Sequence, residues 1–121
     1  MDIYKEIILD HYRNPKNFGS FENATSTETI ENLSCGDILT MSVKIENDVI
    51  EDIRFSGKGC AISVAGASLL TEYVKKKPIQ EIQRLTKEDM IKILGTDVGI
   101  VRIKCALLPL ETLHKVIKKV V

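Results

Sequence analysis

The sequence predicts an α+β domain in which a small antiparallel sheet of about three strands has helices packed on one face. Three observations predict this class. An apolar helical repeat opens the chain, two alternating segments in its middle have the pattern of a hairpin, and helical patterns fill the remainder. With 121 residues, 44% of them hydrophobic, the chain is long enough to bury a core, so we expect one domain over residues 1–121.

The first helix is predicted over residues 3–13, where apolar residues recur at helical spacing. Pro15 favours a stop there, because the residue before a proline avoids the α-helical region. The stretch from Lys16 to Ser26 is polar and turn-rich, which is typical of a surface loop. Residues 1–26, the helix and loop together, are therefore a candidate for mobility.

The strands follow. Residues 27–33 have the composition of an edge strand. Apolar and polar residues then alternate over 39–45 and again over 49–55, with turn-forming residues at 46–48 between them. This pattern predicts a hairpin with one buried face, and the edge strand brings the sheet to three strands.

Four helical segments are predicted after the hairpin, over 61–74, 79–84, 87–94 and about 106–120. In the first of them, small residues keep the N-terminal half thin, so a neighbour can pack closely. We expect its buried stripe to be Ile62, Ala65, Leu69 and Tyr73. In the last helix Pro109 fits only within the first turn, which predicts that this helix starts just after Cys105.

Charge and composition exclude several classes of function. The 17 basic residues balance the 17 acidic ones, so neither nucleic acid nor an anionic membrane is expected as a partner. No apolar run is long enough to span a bilayer, and the N-terminus lacks the layout of a signal peptide, so we expect a cytoplasmic protein. An odd count of 3 cysteines in such a protein argues against a disulfide framework.

Cys60 lies where the second hairpin strand runs into a helix. Gly57 and Gly59 allow the backbone to turn sharply before it. The unpaired N–H groups and the positive dipole end of a helix N-terminus favour a thiolate, which is the form of cysteine that binds metals or carries sulfur.

The predicted topology brings other ligands towards Cys60. Cys35 lies just before one hairpin strand and Cys60 just after the next, and these ends are neighbours in an antiparallel pair. Cys105 joins them if the last helix starts at that end, and Asp37 is a natural fourth ligand. None of the spacings is that of a zinc finger, so buried unreactive cysteines remain the alternative.

Five stretches carry a resemblance to a known family. They are Tyr4 with Asp10-His11-Tyr12-Arg13-Asn14-Pro15, Ser34-Cys35-Gly36-Asp37, Gly59-Cys60, Thr71-Glu72-Tyr73-Val74-Lys75, and Cys105 leading a helix. Over essentially its whole length the chain resembles the IscU/NifU-N/SufU-like iron–sulfur cluster assembly scaffolds.

The resemblance implies a scaffold or carrier rather than an enzyme. Such a scaffold accepts sulfur from a cysteine desulfurase, binds iron, builds a [2Fe–2S] cluster and passes it to apo iron–sulfur proteins. Cys35, Cys60 and Cys105 would be cluster ligands and persulfide acceptors, with Asp37 a ligand or a residue that keeps the cluster labile. Whether the protein forms a homo-oligomer is left open.

Two alternatives stay open. In the SufU branch of the family, zinc would occupy Cys35, Asp37, Cys60 and Cys105, and the protein would be a zinc-dependent sulfur acceptor; a plain zinc-stabilised interaction module is the other. The IscU branch has a histidine where this chain has Lys104, and the SufU insertion between the second and third cysteines is missing. Lys104 either lowers the pKa of nearby thiols or is a solvent-facing charge.

The two histidines are not expected to bind the metal. His114 follows Cys105 by more than 10 Å along the predicted helix, at ~1.5 Å per residue, so we interpret it as structural. For His11 we expect partner docking or helix capping.

Overall fold

The computed structural model describes residues 3–32, 36–96 and 99–120. The elements, in chain order, are α1 (Ile3–Arg13), β1 (Ser26–Asn32), β2 (Asp37–Glu46), β3 (Val49–Lys58), α2 (Ala61–Val74), α3 (Ile79–Gln83), α4 (Lys87–Leu94) and α5 (Gly99–Lys118). The α+β class is confirmed, as are all three strands and the positions of the first four helices.

The sheet is antiparallel throughout, with strand order β1-β2-β3. The β2–β3 hairpin closes on Asn47 and Asp48, which have φ angles of 53° and 60°. Two consecutive positive φ angles are typical of the turn whose twist matches the strands, and asparagine and aspartate tolerate them best after glycine. The predicted hairpin is therefore correct, and each strand extends beyond its alternating segment.

The outer edge of β3 is covered by the loop that follows α1. The amide of Phe55 donates to the carbonyl of Asn17 (2.9 Å), and the amide of Gly19 donates to the carbonyl of Phe55 (2.8 Å). The Phe18 ring packs edge-on against the Phe55 ring, with centroids 5.3 Å apart. These contacts satisfy backbone groups that an open strand edge would present for aggregation.

Side-chain hydrogen bonds join the N-terminal segment to α2. His11 Nδ1 lies 2.7 Å from the hydroxyl of Ser68, which also accepts from the amide of Lys16 (2.8 Å). The side-chain amide of Asn17 donates from Nδ2 to the Thr71 hydroxyl (3.1 Å), and its Oδ1 accepts from Lys75 Nζ (2.6 Å). His11 thus links α1 to α2; the mobility expected for residues 1–26 stays a prediction.

The core lies between one face of the sheet and the helices α2 and α5. Its fully buried side chains include Leu39, Met41, Ile53 and Phe55 from the strands. Alternate residues of β2 are buried here, as a sheet with one covered face requires. Helices α3 and α4 complete the layer, and His114 of α5 lies 3.0 Å from the carbonyl of Ile82 in α3, a structural contact.

The buried side of α2 differs from the predicted stripe. Ala65 is buried as expected, but Tyr73 is 45% exposed, and Ile62 and Leu69 are only half-buried. The residues that face the core are instead Val64, Ala67, Leu70 and Val74. Small side chains let α2 be enclosed on several sides at once, so its burial does not follow the largest apolar residues.

The predicted start of α5 is wrong. The helix begins at Gly99, so Cys105 lies more than one turn inside it and Pro109 lies well inside. A proline there removes one intrahelical donor, which normally costs about 3 kcal/mol. Close packing accompanies it: an added methyl group at Gly66 of α2 would lie only 3.4 Å from the Pro109 ring. The thin half of α2 is therefore used as predicted, for close approach of α5.

Candidate metal centre

Three predicted ligands meet at one end of the sheet. Asp37 opens β2, Cys60 is the N-cap of α2 and Cys105 comes from α5. One ligand atom of each lies within 4.8 Å of one ligand atom of the others. Cys105 and Asp37 are buried, with 4% and 3% exposure, whereas Cys60 is half-buried. Cys35 lies outside the described residues, so its place at this centre stays a prediction.

Strand pairing explains the meeting of Asp37 and Cys60. Ile38 is paired with Lys58, so the start of β2 and the end of β3 lie side by side. Cys60 follows Lys58 by one intervening residue, Gly59, and therefore emerges next to Asp37. Cys105 reaches the same point from inside α5 rather than from its first turn, so the predicted neighbourhood is correct although the predicted helix start is not.

Asp37 also caps α2. Its Oδ1 accepts from the amide of Cys60 (3.1 Å), and its Oδ2 accepts from the Ser63 hydroxyl (2.6 Å). In an ordinary capping box both partners belong to the helix itself. Here the carboxylate comes from a strand, so the bonds that cap the helix also fix the carboxylate beside the two sulfur atoms.

Gly59 leaves the room that this arrangement needs. A methyl group at that position would lie 2.7 Å from the Ser63 hydroxyl oxygen and 3.3 Å from the Asp37 carboxyl carbon. The first distance is below any normal carbon–oxygen contact. A side chain at position 59 would therefore force the Ser63 hydroxyl to move and would disturb its bond to Asp37.

The site lowers the pKa of the Cys60 thiol. Partial burial by itself would raise the pKa, but hydrogen bonds from Ser63, from the Cys105 thiol and from the Ile62 amide outweigh burial. The Ser63 hydroxyl has only one hydrogen, and the 2.6 Å distance to Asp37 Oδ2 against 3.3 Å to Cys60 Sγ assigns it to Asp37. The other donors to the Cys60 sulfur are the Ser63 backbone amide, the Cys105 S–H and the Ile62 backbone amide.

We expect Cys60 in the metal-free protein to react with iodoacetamide at lower pH than in the unfolded chain. A lowered pKa means that the reactive thiolate is present at lower pH. The measurement is the pH dependence of alkylation, assigned to each cysteine by peptide mass spectrometry, with the urea-unfolded protein as reference. Cys105 is the internal control, because burial should slow its alkylation at every pH. A Cys60 midpoint at or above the unfolded value would contradict the expectation.

The donor set fits a thiophilic metal. Thiolates suit zinc and iron–sulfur clusters alike, and a carboxylate adds an oxygen ligand that exchanges more readily. Two thiols and one carboxylate are within reach of a single ion here. Lys104 is exposed on α5, and its influence on the thiols stays a prediction.

Sequence reasoning missed Ser63. The residue is fully buried and touches both Asp37 and Cys60. A serine three residues after a helix N-cap is a weak signal, because such a hydroxyl usually serves its own helix end. Its contact with Asp37 depends on the strand pairing that brings residue 37 to the helix.

Comparisons with known proteins agree with this geometry. The family model described as the NifU-like N terminal domain matches residues 3–120. The iron–sulfur cluster assembly scaffold protein IscU of Aquifex aeolicus is 45% identical over 117 residues, which cover 95% of this chain and 74% of that protein. The zinc-dependent sulfurtransferase SufU of Bacillus subtilis is 32% identical over 134 aligned positions, which cover 97% of this chain and 90% of that protein.

A solved structure has the same fold. It is a Fervidobacterium islandicum protein described as a candidate iron–sulfur cluster assembly scaffold for the SUF system. The TM-score is 0.82 at 32% sequence identity, and the match covers 95% of this chain and 96% of that one. In the part of the chain that the structure describes, no helix combines the length and apolar character that crossing a membrane requires.

Proposed function

Because this chain belongs to the family of NifU-like N-terminal domains, we propose that it is a scaffold on which a [2Fe–2S] cluster is assembled and from which it is transferred. Iron and sulfide are the cargo, a cysteine desulfurase is the sulfur source and apo iron–sulfur proteins are the acceptors. The observation that carries the proposal is the convergence of Asp37, Cys60 and Cys105 within 4.8 Å. We place Cys35 in the same ligand set as the third sulfur.

The mixed ligand set suits a carrier. A cluster that must be retained is usually held by four cysteines, whereas a carrier has to release its cluster. Asp37 supplies the weaker ligand, and the half-buried Cys60 gives an acceptor access to the sulfur side. In this proposal the protein binds the cluster and transfers it without turning over a substrate of its own. We propose the cytoplasm as the compartment in which it does so.

Anaerobic reconstitution tests the proposal. The protein is incubated with ferrous iron, cysteine, a cysteine desulfurase and a thiol reductant that brings the persulfide sulfur to sulfide, and its visible absorption is followed. A scaffold gains sulfide-to-iron charge-transfer bands and then loses them to an added apo-ferredoxin. A protein that stays colourless, or that gains a cluster which no acceptor removes, contradicts the proposal.

A zinc-dependent sulfur acceptor is the second candidate function. Its support is the 32% identity to a protein named zinc-dependent sulfurtransferase over 97% of this chain, together with a donor set that also suits zinc. In this alternative the zinc-bound site accepts desulfurase sulfur on a cysteine. Desulfurase turnover with zinc-loaded protein separates the two candidates: strong stimulation without any cluster formation favours the alternative.

We expect Asp37→Ala to slow cluster transfer. The carboxylate oxygen is the ligand that an acceptor thiol displaces most readily, so its loss removes the entry point for exchange. The measurement is the rate at which apo-ferredoxin gains absorption from reconstituted protein, with thermal unfolding as a check on the lost cap of α2. Transfer at the wild-type rate from a folded variant would refute this role for Asp37.

A further inference from the structure

Ser63 occupies a special position at the candidate centre. It is fully buried in the first turn of α2, three residues after the N-cap Cys60. Its hydroxyl lies 2.6 Å from Asp37 Oδ2 and 3.3 Å from Cys60 Sγ. One side chain that is not itself a proposed ligand therefore touches two that are.

The hydrogen-bond inventory shows what Ser63 does for Asp37. Oδ2 accepts from the Ser63 hydroxyl and Oδ1 accepts from the Cys60 amide, so these two bonds hold both carboxylate oxygens. A carboxylate oxygen has two lone pairs, so one such bond does not by itself prevent it from binding a metal ion. The two bonds together fix the plane of the carboxylate.

We propose that Ser63 is a positioning residue that orients Asp37 as a metal ligand. The inference rests on the proposed function, since it assumes that Asp37 ligates. Hydrogen bonds from side chains behind a metal ligand set its orientation, and losing one typically costs about 10–100-fold in metal affinity. The close fit of Gly59 belongs to the same arrangement, because a Cβ atom there would lie too close to the Ser63 hydroxyl for that hydroxyl to keep its present position beside Asp37.

Zinc alone is a suitable probe. Zinc affinity is measured by competition with a chromophoric chelator for the wild type, Ser63→Ala and Ser63→Thr. We expect Ser63→Ala to bind zinc about 10–100-fold more weakly, and Ser63→Thr, which keeps the hydroxyl, to recover most of the affinity. Equal affinity of the wild type and Ser63→Ala overturns the proposal.

A double-mutant cycle tells whether Ser63 acts through Asp37. When two residues work through one interaction, their effects do not add. The double variant Ser63→Ala/Asp37→Ala should therefore bind zinc as Asp37→Ala does, within about threefold. Multiplied losses would mean that Ser63 acts on another ligand, such as Cys60, and would overturn the assignment.

The effect of each substitution on folding is measured separately from its effect on metal binding. Ser63→Ala leaves a buried carboxylate oxygen with one donor fewer, so the melting temperature of the metal-free protein is recorded for each variant. Should Ser63→Ala fail to fold, Ser63→Thr and Ser63→Val repeat the comparison, because they match in shape and differ in the hydroxyl. Lower zinc affinity in folded Ser63→Val than in Ser63→Thr supports the proposal, and equal affinity overturns it.

The failures of the two proposals look different. If the wild type forms and transfers a cluster and Ser63→Ala binds zinc equally well, only the proposed role of Ser63 is contradicted. A wild type that binds neither zinc nor a cluster removes both proposals.

Discussion

Replacing Cys60 or Cys105 by serine is expected to abolish formation of a stable [2Fe–2S] cluster while the fold stays intact. A serine hydroxyl occupies nearly the same volume but is not deprotonated at neutral pH, so it is a poor ligand for iron. The two sulfurs lie within 4.8 Å of each other and of Asp37, so either loss breaks the same site. We expect the same result for Cys35→Ser, which tests the predicted third sulfur.

The measurement is iron and acid-labile sulfide per protein after anaerobic reconstitution, alongside far-ultraviolet circular dichroism. Ser56→Ala, at a half-buried site on β3, serves as a control substitution outside the proposed ligand set. Normal cluster content in all three cysteine variants would mean that these thiols do not share a site.

Gly57→Ala is expected to destabilise the protein by about 3 kcal/mol, through backbone strain and overpacking of about 1–3 kcal/mol each. Gly57 has a φ of +132°. A methyl group there would lie 2.1 Å from the carbonyl oxygen of Ile38 on the neighbouring strand. The added atom would separate β2 from β3 next to Asp37 and Cys60.

Gly36→Ala is the matched control for Gly57→Ala. Gly36 also has a positive φ, +72°, but a methyl group there would meet nothing within 4 Å among residues 3–32, 36–96 and 99–120. Its cost should be that of a left-handed residue alone, about 1–2 kcal/mol. Urea unfolding of both variants measures the difference; equal losses would show that the contact with Ile38 is unimportant.

Local sequence patterns predicted the strands well, because the signals that mark a strand lie within the strand itself and in the turn next to it. Alternation over 39–45 and 49–55 marks the face that the helices cover, and Asn47-Asp48 is a sufficient turn signal. The bounds of α1, α2 and α4 follow from equally local signals, such as the left-handed Gly95 that ends α4.

The errors in α2 and α5 have a tertiary cause. Pro109 is tolerated inside α5, where it packs close to Gly66, and nothing in the local sequence reveals that neighbour. The β-branched residues Ile100, Val101 and Ile103 have only modest helix propensity, so no strong local signal marks the observed start of α5. In α2 the enclosing partners, rather than side-chain size, decide which residues are buried.

Part of the candidate centre followed from topology alone. Antiparallel pairing places the residue before one strand beside the residue after the next, which brings Asp37 to Cys60. The contribution of Ser63 was not predictable in this way, because a hydroxyl can reach any acceptor within about 3 Å and the chain offers many. The space left by Gly59 likewise becomes visible only once Ser63 and Asp37 have positions.

X-ray absorption at the zinc edge of the zinc-loaded protein tests the shared site most directly. We expect three sulfur atoms at about 2.3 Å and one oxygen at about 2.0 Å, from Cys35, Cys60, Cys105 and Asp37. In the Asp37→Ala variant the three sulfurs should remain while the carboxylate oxygen is lost or replaced by water. A zinc shell with one sulfur or none would contradict a site built from these thiols.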